Sequence, residues 1–169
     1  MIKNKLKKHS IREYQKSDFR QVCSKFLAFQ LKNEISSMAN LNKNKNESFY
    51  RLFLVDEFKK ILKKTHKRFV VIDEETGTLC GFASFNVMNE KESLLFFCFK
   101  DEDYAFNHLF KRALLDCFKL VGGEKIYANL SPRDRFDQYI KFVQRIIGFK
   151  HIEKQPFGRV LVAYKNEKD

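Results

Sequence analysis

Three ionisable side chains, Glu92, His108 and Tyr139, could move a proton, and the thiol of Cys98 could hold an acyl group. Each also fits a plain structural role. Glu92 can be an exposed charge at a strand end, His108 a solvent-facing residue in a helix's first turn, and Tyr139 half-buried packing. Cys98 can be a small core residue. Other chemistries find no residues to carry them. His9, His66, His108 and His151 show no paired ligand spacing, and Cys23, Cys80, Cys98 and Cys117 form no CxxC pair and fit no zinc pattern. Neither a Gly-x-Ser-x-Gly nucleophile turn nor a Gly-x-x-x-x-Gly-Lys phosphate loop occurs.

The elements that position these groups belong to a chain of 169 residues, long enough to bury a core and expected to form one domain over 9–166 behind a basic tail at 1–8. The net charge is +12, which favours anionic partners: nucleic acid, acidic surfaces or phosphorylated cofactors. Four lysines lie in MIKNKLKK and six cations in KKILKKTHKR, Lys59 to Arg68. Either run can be an ordinary solvated face. The 19 phenylalanines accompany abundant Lys, Asn and Ile, so they read as compositional bias rather than a functional signal. The cysteines sit in apolar company, as buried free thiols of a reducing compartment do. The charged start is no secretory signal, and no stretch approaches the roughly 20 apolar residues of a membrane helix. A cytoplasmic protein is expected.

HSIREYQ reads as a strand and Ser17 as the cap of a first helix with Phe19, Val22, Cys23, Phe26 and Leu27 on its buried stripe. Residues 40–48 read as a loop. A second helix runs from about Ser48 to Lys64, with Phe49, Phe53, Phe58, Ile61 and Leu62 expected inside. RFVVID and LCGFASFNVM form a hairpin about Gly77, and SLLFFCF is a strand apolar enough to be buried on both faces. A long helix, about Asp103 to Val121, stops at Gly122-Gly123. EKIYANL is a strand, Ser131-Pro132 opens a late helix that Gly148 ends, and FKHIEKQ with GRVLVAYK closes the chain as a hairpin. The order is β α α β β β α β α β β. It predicts an α/β (α+β) fold: a mixed, mostly antiparallel twisted sheet of about seven strands with helices on both faces. Right-handed crossover makes its fourth and fifth strands parallel.

IREYQKSDF, RFVVIDEETGTLCGFASF and FVQRIIGFKHIE, in this order and spacing, resemble the GCN5-related N-acetyltransferase (GNAT) family across most of the chain. The resemblance implies that acetyl-CoA, or another acyl-CoA, wedges between splayed fourth and fifth strands, with no metal. A bulge in the fourth strand offers an amide to the thioester carbonyl, and the pyrophosphate rests at the start of the following helix. It implies a base, often a carboxylate acting through water, for which Glu92 or His108 stands here, and an acid, often a tyrosine, for which Tyr139 stands. The cofactor residues it implies are Phe97, Cys98 and Phe99 in the strand and Asn107, His108, Leu109, Phe110 and Lys111 at the helix start. The acceptor, a small-molecule or peptide amine, is held by the first two helices and the closing hairpin.

Two departures stand out. Anchored on RALL, the family's Arg/Gln-x-x-Gly-x-Gly/Ala loop falls on Phe106 to Lys111, with Leu109 and Lys111 at the glycine positions and Asp101, Glu102 and Asp103 nearby. Long side chains there obstruct the approach of backbone to phosphate. The late helix keeps Gly148-Phe149, but Gln144 stands where the acid tyrosine belongs, and an amide gives up no proton. Two readings follow: a divergent acyltransferase, or an inactive GNAT-fold binding module that has lost acetyl-CoA and meets a protein partner or a second copy of itself. A third, a basic nucleic-acid binder, has charge in its favour but no reading motif. The enzyme requires an open gap between strands four and five with a free amide near Phe97 to Phe99. The binding module requires Phe106 or Leu109 to plug it.

Overall fold

Alternating apolar and polar residues, punctuated by turn formers, give seven strands in one sheet of order β1-β2-β3-β4-β5-β7-β6. The strands are β1 (His9–Glu13), β2 (Lys67–Asp73), β3 (Leu79–Val87), β4 (Glu92–Lys100), β5 (Lys125–Leu130), β6 (Lys150–Lys154) and β7 (Val160–Lys165). The helices are α1 (Phe19–Met38), α2 (Glu47–Lys64) and α3 (His108–Val121), and a π-helical turn spans Phe142–Ile147. This computed structural model describes residues 8–38, 47–100, 108–130 and 142–166. All neighbouring strands pair antiparallel except β4 with β5, which are parallel around the α3 crossover.

Two cores sandwich the sheet. On one face, α1 and α2 cover Val70, Leu79, Phe82, Phe97 and Phe99. Phe26 of α1 is 1% exposed. Its ring lies 5.1 Å from Phe58, 5.6 Å from Phe97 and 5.9 Å from Phe99. A buried Phe contributes about 1.5–3 kcal/mol by transfer alone, so this aromatic knot fixes α1 against β4. On the other face, α3 and the π-helical turn cover Ala83, Phe85, Leu95, Cys98, Ile126, Ala128 and Val162.

Helix ends follow local chemistry. Ser17 sits inside a short 3-10 turn (Lys16–Asp18) rather than capping α1; instead the Asp18 carboxylate accepts the Gln15 amide at 2.8 Å and a forked pair from Arg12 at 2.7 Å each. α3 stops at Gly122 and Gly123, with φ of 78° and 84°. A Cβ on Gly123 would stand 2.9 Å from the Lys91 carbonyl oxygen, so only glycine lets the chain pass the β3–β4 turn. Asn166, just past β7, closes the same helix end by donating to the carbonyls of Phe118 (3.0 Å), Gly123 (3.3 Å) and Gly122 (3.4 Å).

The second helix departs from expectation. Leu54 and Phe58 are its buried anchors, while Phe49 is 73% and Phe53 50% exposed. Apolar residues lie on more than one side of α2, and packing on α1 and β3 selects the Leu54 side. β4 is not buried throughout either, for Phe96 is 38% exposed.

Candidate active site

The parallel pairing of β4 with β5 runs only from Glu92↔Lys125 through Ser93↔Ile126 to Leu94↔Tyr127. Beyond these pairs the strands part. β4 stays on β3 through Phe97↔Ser84, Cys98↔Ala83 and Phe99↔Phe82, and β5 stays on β7 through Ala128↔Val162 to Leu130↔Val160. Each strand keeps its outer ladder, so the inner backbone edges of Leu95–Phe99 and Ala128–Leu130 line a gap between them.

A β-bulge sits at the gap's edge. Phe85 pairs with Leu95 and Ser84 with Phe97, leaving Phe96 without a partner in β3. The bulge also resets the side-chain alternation. Leu95 and Cys98, three apart, both join the α3-face core, whereas Phe97 and Phe99 join the α1-face core. The hydroxyl of fully buried Ser84 donates to the Phe97 carbonyl at 3.4 Å, which holds the strand in place beside the bulge.

Four residues upstream, Glu92 points to the α1/α2 face, the face shared by Asn86, Leu94 and Tyr127 in one row across β3, β4 and β5. The carboxylate accepts a long hydrogen bond, 3.4 Å, from Asn89 Nδ2, and Tyr127 stands one row along β5 on the same face. The nearby Tyr127 phenol and Asn89 amide, with the charge of Lys125, hold Glu92 below the ordinary carboxylate range, and the carboxylate in turn pushes the Tyr127 phenol up. Among the described residues, Asn86 Oδ1 is the buried side-chain oxygen or nitrogen without a hydrogen-bond partner.

The other predicted site residues scatter. Phe97 is half-buried under Phe26, Phe99 is buried beside it, and Cys98 is buried on the opposite face. Burial raises the Cys117 thiol, and all four cysteines are buried thiols outside any disulfide. His108 and Leu109 open α3. Phe110 is buried against the sheet and Lys111 is half-buried. Asn107, Phe106 and Tyr139 lie outside the described residues. Within the basic run, Lys59, Lys60, Lys63, Lys64 and Lys67 are exposed, but Arg68 turns back to donate to the Leu62 carbonyl at 2.8 Å and lies 5.4 Å over the Tyr14 ring. Among the described residues no group of three or more His, Cys, Asp or Glu could hold a metal ion, and no helix is long and apolar enough to cross a membrane. Sequence reasoning missed Phe96, because nothing in an unbroken apolar run marks the bulge. It missed Tyr127 because its nearness to Glu92 crosses two strands distant in the chain.

The fold of this chain is similar to that of solved acetyltransferase structures. The PaiA N-acetyltransferase of Thermoplasma acidophilum, in complex with coenzyme A, matches at TM-score 0.61 and 14% identity, covering 94% of this chain and 99% of that one. The fold is that of the GCN5-related N-acetyltransferases. A GNAT-family acetyltransferase of Listeria monocytogenes matches at TM-score 0.63 and 12% identity, over 93% of this chain and 94% of that one. The spermidine N-acetyltransferase of Vibrio cholerae, in complex with CoA and spermine, matches at TM-score 0.56 and 16% identity, over 94% and 95%. No family model and no curated sequence matches the chain. The GNAT likeness is thus carried by backbone geometry, and at these identities it speaks for the fold alone.

Proposed function

We propose that this protein is a divergent acyl-CoA-dependent N-acyltransferase that transfers an acyl group, acetyl in the first instance, to an amine. The observation that carries the reading is the gap between β4 and β5 with the Phe96 bulge at its edge. That pair of features offers backbone donors and acceptors that the sheet has left unused, which suits an extended, amide-bearing chain such as pantetheine. An acyl-CoA supplies an activated thioester carbonyl; the rest is done by this chain. The Phe96 amide donates to the carbonyl oxygen as charge gathers there. The backbone of Phe97, Cys98 and Phe99 orients the pantetheine arm. The start of α3, from His108 to Lys111, receives the phosphates at the positive end of the helix, with Lys111 and Arg112 supplying cations in place of the missing glycines.

Glu92 is the proton acceptor. Its Cα lies about 13 Å from that of Phe96 along a strand rising roughly 3.3 Å per residue, so the amine proton reaches it through water. The new N–C bond forms as the C–S bond breaks, and the departing thiolate takes a proton from Tyr139 or from solvent. The acceptor is held by the first two helices and the closing hairpin, on which Phe157 is 91% exposed.

A second reading keeps the fold without the chemistry. Leu109 and Lys111 at the glycine positions favour a binding module from which acetyl-CoA is excluded. Calorimetric titration of the whole protein with acetyl-CoA, at low and at moderate salt, separates the two. Binding that survives moderate salt, followed by amine-dependent release of free thiol, supports the enzyme. No binding at high protein concentration sinks it and leaves the module.

A further inference from the structure

We propose that the outward side of α2 docks on an anionic lipid surface: Phe49, Leu52 and Phe53 enter the headgroup layer, and Lys59, Lys60, Lys63 and Lys64 meet its phosphates. The inference stands apart from the reading of the β4–β5 gap and does not depend on it.

The surface follows from how α2 packs. Leu54 and Phe58 are buried, and Val55, Ile61 and Leu62 pack partly buried against the same core, so they fix which side of the helix meets the sheet. At about 100° per residue, the three apolar residues and the four lysines all fall on the opposite side. All seven are exposed, and each of the three apolar ones is half or more so. Asp56 and Glu57 stand between the two groups, and Glu57 is paired with Lys60 at 3.2 Å. The outward side thus divides along its length, apolar at the amino end and basic at the carboxyl end. His66 and Lys67, exposed just past the helix, continue the basic end.

A solvated helix face accounts for the lysines but not for the apolar group. Single exposed apolar side chains are ordinary. Positions 49, 52 and 53, however, adjoin on a helix as i, i+3 and i+4, so they make one patch with a charged rim. Three features select lipid as what covers it. A helix held in a protein groove carries its next anchor at i+7, and that position from Phe49 is Asp56. A second copy of the chain would bring four more lysines to the same face, on a protein already at net charge +12. A nucleic acid would satisfy the lysines but give Leu52 nothing to pack on. An anionic lipid surface serves both groups: the acyl boundary takes the apolar side chains and the phosphates take the cations.

The dimensions agree. At about 1.5 Å per residue, the lysines stand roughly 9–17 Å beyond Phe53 along the helix axis. A helix tipped amino end down sinks its rings by the roughly 5–10 Å of interfacial helices, while the lysines stay at the phosphates. Their alkyl stems lie along the apolar boundary.

The test is sedimentation of the full-length protein with vesicles of phosphatidylcholine, with and without phosphatidylglycerol. The expected result is binding to the anionic vesicles only, weakening as salt rises. Lys59→Gln, Lys60→Gln, Lys63→Gln and Lys64→Gln together should weaken it by about fivefold per lysine. The same loss of charge at exposed Lys16, Lys91, Lys150 and Lys154 should weaken it far less. Phe49→Ser with Leu52→Ser should release the protein at unchanged charge. Equal losses in the two lysine sets overturn the proposal, because net charge and not α2 then does the binding. Equal binding to neutral vesicles, or none to either, overturns it as well. So does a short RNA that displaces the protein from vesicles and binds the Phe49→Ser, Leu52→Ser variant as well as the wild type, since the face is then a polyanion site. The wild-type protein gives a readout that needs no variant: acyl-chain spin labels in anionic vesicles should broaden the NMR signals of Phe49 and Leu52 more than those of Phe157, exposed elsewhere. Uniform broadening, or none, overturns the proposal.

Discussion

Phe110 of α3 seats its ring edge on Gly81 of β3: its Cε2 lies 3.0 Å from where a Cβ on that glycine would stand, with Val71 Cβ and Cγ2 both 3.3 Å from the same point. The glycine is a notch in the sheet, and the first turn of α3 docks into it. That turn is also the phosphate end of the proposed cleft, so the packing that fixes the fold fixes the ligand site.

Gly81→Ala therefore acts on both. The added methyl forces Phe110 outward, and overpacking of this kind costs about 1–3 kcal/mol. Melting should fall by several degrees, and acetyl-CoA affinity should drop with it because the start of α3 shifts. Gly81→Ala with an unchanged melting temperature would mean that the first turn of α3 adapts freely and does not depend on the notch.

The Phe96 bulge predicts a backbone-specific effect. Phe96→Pro removes the amide offered to the carbonyl, at a position with no partner in β3, where proline is tolerated. Loss of one such donor costs about 100- to 1,000-fold in kcat. Phe96→Ala, which keeps the amide, should retain most activity, as the ring is 38% exposed. Equal losses in the two variants, measured as thiol release at saturating acetyl-CoA, would assign the effect to the ring.

The order of elements along the chain, the hairpins and the parallel crossover were legible because their signals are local: period-two stretches, Gly77, and the Gly122-Gly123 stop. What decides the site is not local. LLFFCF, after Ser93, is apolar at every position, so no parity change betrays the bulge at Phe96, which is set by β3 pairing. Phe49 and Leu54 are both good helix-core residues by type. Only the packing of α2 on α1 and β3 makes one 73% exposed and the other 3%. Ser17 has the better capping chemistry by sequence, yet Asp18 does the work because Arg12 on β1 is there to meet it. Glu92 with Tyr127, and Gly81 with Phe110, are neighbours that only the assembled sheet brings together.

The Arg12–Asp18 pair should make stability depend on acid. Its hydrogen bonds from Arg12 hold the Asp18 carboxyl below its ordinary value. A carboxyl depressed on folding contributes stability above its unfolded value, about 3.9, and that contribution is lost as pH falls through the folded value. Arg12→Ala leaves a carboxylate 7% exposed without its main partner and should cost about 1–3 kcal/mol at neutral pH. Denaturant curves over a pH series should show the gap between wild type and variant closing in acid. A gap that stays constant would mean that packing of the Arg12 stem, not the ion pair, is what the variant loses.

Asn166 tests the other end of the scaffold, where β7 meets α3. Its Nδ2 donates to three carbonyls at the helix end, and the residue is 8% exposed. Asn166→Ala leaves those carbonyls short of a donor and should cost about 1–3 kcal/mol. Asn166→Asp keeps the shape but turns an acceptor-only carboxylate on the three oxygens, so at neutral pH it should cost more than alanine. Repulsion and burial raise the folded value of that carboxyl, so its penalty relative to alanine appears as pH rises above the unfolded aspartate value of about 3.9. In acid the protonated carboxyl can donate again, and the order of the two variants should reverse. Thermal melts of both variants on either side of that range read the reversal directly. If Asn166→Asp melts with or above Asn166→Ala at neutral pH, the α3 end is closed by water, and the Asn166 side chain is dispensable there.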